Sequence, residues 1–164
     1  MFVLIVGIGR VGSSLARTML DEGHEVSCLD EDPDALSLLE ASMGGGDWVS
    51  AGGRFTVGQG LETDALTAAG IERAHAFVAS TDGDNTNLVI AQIARRQYNV
   101  PTVIARVLDP RRAEWYEQQG VATICPTRSA IEMLETQVRA AEPRPGRGGA
   151  VSYTHLTLPT NREV

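Results

Sequence analysis

The stretch Val3-Leu4-Ile5-Val6-Gly7-Ile8-Gly9-Arg10-Val11-Gly12 decides the fold of this chain. An apolar run of strand length enters G-x-G-x-x-G. A helix-forming segment follows, and a second apolar run ends in Leu29-Asp30, twenty-three residues after Gly7. A strand, a glycine-rich turn, a helix, a strand and a terminal carboxylate in that order make the dinucleotide-binding fingerprint. Each glycine has its own task. Gly7 allows the tight turn, Gly9 lets the backbone approach a pyrophosphate, and Gly12 lets the helix pack close to the strand, so that the helix N-terminus faces the phosphates. Asp30 stands where a carboxylate accepts hydrogen bonds from a ribose diol and repels a 2′-phosphate. NAD(H), ATP or ADP is therefore favoured over NADP(H).

Outward from this unit, apolar runs alternate with helical stretches. Strands are expected near 2–6, 25–29, 54–57, 76–79, 102–106 and 122–124, and helices near 10–22, 33–41, 62–69, 84–98 and 110–119. The fold class is α/β, a Rossmann-like doubly wound parallel sheet of about six strands in a single domain. Leu15, Met19 and Leu20 form the inward face of the first helix, with Arg17, Asp21 and Glu22 outside. The glycine-rich segment 42–53 has no period and reads as a surface loop. Asp82 or Asp84 is expected to cap the fourth helix. Asp109-Pro110 starts the fifth helix, and Gly120 stops it. After Pro126-Thr127 a last amphipathic helix carries Ile131, Leu134 and Val138, expected to face the core.

At 164 residues there is room for one domain with a proper core. The net charge of −7 and a pI near 4.9 leave no electrostatic footprint for nucleic acid or an anionic membrane. All 14 basic residues are arginine. That excludes Schiff-base chemistry and a lysine general base. Cys28 and Cys125 read as core or near-core thiols of a reduced compartment. No apolar run reaches the ~18 residues of a membrane span. Val151-Ser152-Tyr153-Thr154-His155-Leu156-Thr157-Leu158-Pro159-Thr160 matches, residue for residue, one reading frame of a transposon sequencing adaptor. Residues 151–164 are therefore set aside as non-native, and 141–150, rich in proline, glycine and arginine, read as a linker.

Over residues 1–140 the chain resembles the N-terminal nucleotide-binding domain of TrkA-type potassium-uptake regulators, the RCK domain. Four blocks carry the likeness. The first is Gly7-Ile8-Gly9-Arg10-Val11-Gly12-Ser13-Ser14-Leu15-Ala16 with Gly23-His24-Glu25-Val26 and Asp30-Glu31-Asp32-Pro33. The second is Ala69-Gly70-Ile71-Glu72-Arg73-Ala74-His75-Ala76-Phe77-Val78-Ala79, and the third Ser80-Thr81-Asp82-Gly83-Asp84-Asn85-Thr86-Asn87-Leu88. The fourth is Val103-Ile104-Ala105-Arg106-Val107-Leu108-Asp109-Pro110, closed by Tyr116-Glu117-Gln118-Gln119-Gly120-Val121 and Pro126-Thr127. One departure stands out: the family usually has Gly-Asp-Ala-(Thr/Ser) after strand three, and this chain reads Gly58-Gln59-Gly60-Leu61.

Together, fingerprint and resemblance give an expected contact set for NAD(H) or ATP/ADP: Gly7, Ile8, Gly9, Arg10, Val11, Gly12, Asp30, Glu31, Gln59, Gly60, Thr81 and Arg106. Arg10 follows the second glycine and can reach a pyrophosphate or γ-phosphate. Arg106 ends strand five on the ligand edge, where the resemblance implies a phosphate or inter-subunit contact and an ion pair with Asp82 or Asp109 is the alternative. Ser80 and Thr81 end strand four with hydroxyls available to ligand, and Asn87 reads as a structural hydrogen-bonder. No catalytic or metal-binding residues are expected, because His24 and His75 fall on the far side of the sheet. The resemblance implies a cytoplasmic, non-enzymatic nucleotide sensor of a Trk/Ktr-type potassium uptake system. It would be a homo-oligomer, dimer or ring, in which the resemblance makes the helix after Pro126-Thr127 a crossover between neighbours, and peripheral to the membrane through a transporter subunit. The alternative is an NAD-dependent oxidoreductase fragment lacking its substrate domain. A channel or antiporter domain would need an upstream membrane segment, which Met1 argues against.

Overall fold

The computed structural model describes residues 1–118 and 120–141. The adaptor-like segment and all but the first residue of the expected linker lie outside the described residues. In chain order the elements are β1 (Phe2–Val6), α1 (Arg10–Asp21), β2 (Glu25–Asp30), α2 (Ala35–Ser42), β3 (Arg54–Val57), α3 (Thr63–Ala68), β4 (Ala76–Ala79), α4 (Asp84–Arg96), β5 (Thr102–Arg106), α5 (Pro110–Gln118), β6 (Ala122–Ile124) and α6 (Pro126–Ala140). One 3₁₀ turn, Ile71–Arg73, precedes β4.

All six strands pair in parallel in the order β3-β2-β1-β4-β5-β6. A parallel sheet covered on both faces needs strands apolar on both sides, and every residue of β1 is buried. Phe2, Leu4 and Val6 enter one core with α3, α4 and α5, where they meet Leu66, Leu88, Ile90 and Ala113. Val3 and Ile5 enter the other with α1 and α2, where they meet Ala16 and Leu39. The chain changes face between β3 and β4. Connections leaving β1 and β4, which are neighbours, therefore depart in opposite directions, and the carboxyl ends of these two strands form a crevice. At the amino end, the Phe2 amide donates to His75 Nδ1 at 3.0 Å, which gives that histidine a structural task.

Three expectations need correction. Segment 42–53 is not merely a surface loop: Trp48 is fully buried in the α1/α2 core, and its indole N–H donates to the Arg54 carbonyl at 3.1 Å. A single aromatic anchors an otherwise aperiodic segment. Neither Asp82 nor Asp84 caps α4, whose N-cap is Gly83 without a side-chain bond. The Asp84 carboxylate instead accepts from the Leu108 and Asp109 amides at 2.8 and 3.0 Å, tying α4 to the β5–α5 turn. Thirdly, the stripe on α6 does not face the core, since Ile131, Leu134 and Val138 are 46%, 66% and 67% exposed. The helix is held at its start, where Cys125 Sγ accepts from the Arg128 amide at 3.4 Å and Arg128 pairs with Glu117 at 2.6 Å. Hydrogen bonds from Arg128 and from the Thr123 hydroxyl, the latter at 2.7 Å, hold the Glu117 carboxyl below the usual carboxylate range.

Trp48→Ala should destabilise the domain by about 3–5 kcal/mol, the usual cost of emptying a large aromatic site. Urea unfolding followed by circular dichroism reads this directly, and a loss below about 1 kcal/mol would return the segment to a surface role. The Glu117 shift has a sign that can be checked. A depressed carboxyl stabilises above its unfolded value and loses that contribution as pH falls through the folded one. Protection of the α6 amides against hydrogen exchange, after division by the intrinsic exchange rate at each pH, should therefore fall on acidification below the ordinary glutamate range, and Glu117→Gln should abolish that pH dependence of protection.

Candidate functional site

The crevice at the carboxyl ends of β2, β1 and β4 is a cavity of about 510 Å³. Its floor is the β1–α1 turn, with Gly7, Ile8 and Gly9 in the lining. Gly7 has φ +92°, and a Cβ there would strike the Thr81 backbone. Gly12 lies beneath the turn, where a Cβ would overlap the Gly7 carbonyl. Ser80 completes the junction from β4. Its hydroxyl is buried and donates to the Gly7 carbonyl at 2.7 Å, so it faces the protein and not the cavity.

On the β2 side the wall is Asp30, Glu31 and Asp32. The Asp30 carboxylate closes a bridge across the floor. Its Oδ2 accepts from the Ile8 amide at 2.6 Å, and its Oδ1 from the Asp32 amide at 2.9 Å. It therefore pins the glycine-rich turn to β2 and keeps unused acceptor capacity in the cavity lining. Below it Cys28 is sealed in the sheet, and burial, seconded by the Asp30 charge, pushes its thiol far up. It is a protonated core residue, not a nucleophile.

The β3 side brings Gly58, Gln59, Gly60 and Leu61, and α2 contributes Ala35 and Leu38. Leu38 and Leu61 are about half exposed, two apolar side chains at one mouth of the cavity. Sequence reasoning missed them as site residues. The available signal was their position, one within the helix after the terminal carboxylate and one directly after Gln59-Gly60.

The β4 wall is Ser80, Thr81, Asp82, Gly83 and Thr86. Asn87, buried one turn into α4, organises it. Its Oδ1 accepts from the Thr81 amide at 2.8 Å and the Thr81 hydroxyl at 2.7 Å, while its Nδ2 donates to the carbonyls of Thr81 and Arg106 at 2.8 and 2.9 Å. The Thr81 hydroxyl is thus committed as a donor within the protein and retains only acceptor capacity.

Of the expected contact set, Gly7, Ile8, Gly9, Asp30, Glu31, Gln59, Gly60 and Thr81 line the cavity. Arg10, Val11, Gly12 and Arg106 do not. Arg10 and Val11 are exposed on the first turn of α1, outside the lining, and Gly12 is buried. Arg106 lies behind the β4 wall, with Nη2 donating to the Thr81 carbonyl at 2.8 Å and pairing with Asp82 at 3.3 Å. The Asp82 alternative describes this guanidinium. Its buried Nε has no hydrogen-bond partner among the described residues. Also among those residues, no helix is long and apolar enough to cross a membrane.

Comparison with known proteins agrees with this architecture. Residues 3–126 match the TrkA-N domain family. The chain is 42% identical over 135 residues to the Trk system potassium uptake protein TrkA of Streptomyces coelicolor, an alignment covering 82% of this chain and 57% of that protein. A TrkA homolog from Methanothermobacter thermautotrophicus is 35% identical over 136 residues, covering 82% and 59%. The chain thus spans less than three fifths of these relatives. Among solved structures, the Kef CTD of Shewanella denitrificans in its AMP-bound form superposes with a TM-score of 0.68 at 26% identity, covering 87% of this chain and 83% of that one. The TrkA-N domain of inner membrane protein ybaL from Escherichia coli gives 0.68 at 20% identity, covering 86% and 96%, a likeness of fold. With the sheet order, the glycine-rich turn and the terminal Asp30 already in place, these matches establish that the chain belongs to the TrkA-N domain family.

Proposed function

We propose that this domain binds NAD(H), ATP or ADP without turning it over, and that occupancy regulates a Trk/Ktr-type potassium uptake system from the cytoplasmic side. One observation carries the ligand half. Gly7 and Gly12 lack a Cβ for reasons internal to the protein, but Gly9 does not: its backbone is extended at φ −85°, and a Cβ there would meet nothing within 4 Å. A glycine at a position where the chain itself would accept a side chain is explained by an approaching ligand. The uncapped N-terminus of α1 beside it supplies backbone donors and the positive end of a helix dipole to a pyrophosphate. Asp30 would take the ribose diol, and Leu38 and Leu61 offer apolar faces to a base. AMP in the Kef CTD relative supports an adenine nucleotide. The regulatory half rests on the TrkA names of the relatives, and a transporter subunit and a second copy of the chain are its proposed partners. The proposed division is a binding domain over 1–140, a linker over 141–150 and a non-native tail.

The glycines separate ligand from fold. Gly9→Ala should keep the unfolding free energy within the ~1 kcal/mol an N-cap exchange costs, yet weaken nucleotide binding more than about ten-fold by calorimetry. Gly12→Ala should instead destabilise the fold itself. Unchanged affinity in Gly9→Ala would remove the case for a phosphate over this turn. In the same assay NAD(H) should bind in preference to NADP(H). Asp30→Ala should shrink the preference for NAD(H) over NADP(H) by roughly ten- to a hundred-fold, the worth of a charged hydrogen bond, whatever both ligands lose in common with the brace on the turn. Product analysis after long incubation should recover the nucleotides intact. Steady hydrolysis or substrate-dependent hydride transfer would overturn the regulatory reading.

A further inference from the structure

The cavity wall carries a charge pattern that narrows the ligand further. Asp30, Glu31, Asp32 and Asp82 all line it, and among the described residues no arginine does; the chain has no lysine to help. Arg106 is turned to the Thr81 carbonyl and Asp82, and Arg10, exposed on the first turn of α1, lies outside the lining. Asp30, Glu31 and Asp32 form no ion pair among the described residues. The supply of backbone donors is reduced as well, because the Ile8 amide in the middle of the glycine-rich turn is already bound to Asp30 at 2.6 Å. A loop of this kind ordinarily offsets phosphate charge with amides and a nearby cation. Here an amide is used within the protein, and the side chains around it have the same sign as the ligand.

On the reading of this cavity as a nucleotide site, we propose that it selects by low net charge. It takes a dinucleotide of the NAD⁺ class in preference to a nucleoside triphosphate, and it admits ATP well only with a divalent cation cancelling part of the phosphate charge. ATP carries about four negative charges, ADP about three, NADH about two and NAD⁺ about one net, counting its cationic ring. Each additional charge is repelled by every unpaired carboxylate of the wall. In a cavity of about 510 Å³, where ligand and wall charges are separated by little salt solution, the sum amounts to about ten-fold in affinity between NAD⁺ and free ATP. The same repulsion reinforces the exclusion of a 2′-phosphate by Asp30.

Calorimetric titration of the full chain with NAD⁺, NADH, ADP and ATP, in EDTA and again with excess Mg²⁺, tests this at two KCl concentrations. In EDTA at low salt the affinities should fall in that order, with ATP at least about ten-fold weaker than NAD⁺. Mg²⁺ should recover most of the ATP deficit and leave NAD⁺ within two-fold, and high salt should narrow the gap. In the Glu31→Gln/Asp32→Asn double variant, the ratio of ATP to NAD⁺ dissociation constants should shrink at least about three-fold, because neutral side chains of the same shape at these two unpaired positions remove only charge. Metal-free ATP binding as tightly as NAD⁺, or a ratio unmoved by the double variant, would overturn charge selection and leave the nucleotide reading standing. Failure of every nucleotide to bind would overturn that reading, and this inference with it.

Discussion

The structure depends on one close approach, that of the β1–α1 turn to the end of β4. Three residues without room for larger side chains meet there. Gly7 lies against the Thr81 backbone, Gly12 against the Gly7 carbonyl, and the Ser80 hydroxyl bonds that same carbonyl at 2.7 Å. A β-carbon on either glycine would separate α1 from the sheet or β1 from β4, and each separation would uncover buried core. The crevice at the sheet edge is a consequence of this contact. Where two adjacent parallel strands send their connections to opposite faces, the backbone itself leaves a gap, and closer packing behind the gap defines it more sharply.

Much of this was legible in the chain. Strand and helix positions followed from period and punctuation, because a parallel sheet buried on both faces imposes continuous apolar runs. The residues that line the cavity at Gly7–Gly9, Asp30–Glu31, Gln59–Gly60 and Thr81 could be located because backbone geometry fixes strand ends. Side-chain commitments were less visible. Asp84 resembled a cap, yet its carboxylate accepts from two amides of the β5–α5 turn. Ser80 offered a hydroxyl to a ligand, but a buried hydroxyl beside a bare carbonyl satisfies that carbonyl first. Trp48 sat among glycines with no period to signal burial. Amphipathicity of α6 was read correctly as a pattern and wrongly as a contact, because a stripe states that a partner is needed without saying where it lies.

Asp30 joins the two lines of reasoning. Its placement makes it a ribose acceptor in the fingerprint, and its geometry makes it a brace, with one oxygen on Ile8 and the other on Asp32. These roles are compatible because a carboxylate accepts up to about four hydrogen bonds and the protein uses two. A side chain serving both purposes holds the floor in place before any ligand arrives, which reduces the ordering cost of binding.

The order of strands in the sheet also bears on how the chain acquires its site in time. β1 is the first element made, but one of its two neighbours is β4, and the amide of Phe2 waits for an imidazole 73 residues later. Until that segment emerges, the inner strand keeps an open edge, and the glycine-rich turn has no opposite wall. Non-local pairing of this kind slows folding and lengthens exposure of apolar strand edges. On a ribosome, the crevice would be completed only after Thr86, its last lining residue, about three fifths of the way through the described domain, so a nascent chain shorter than that carries the fingerprint but not the pocket.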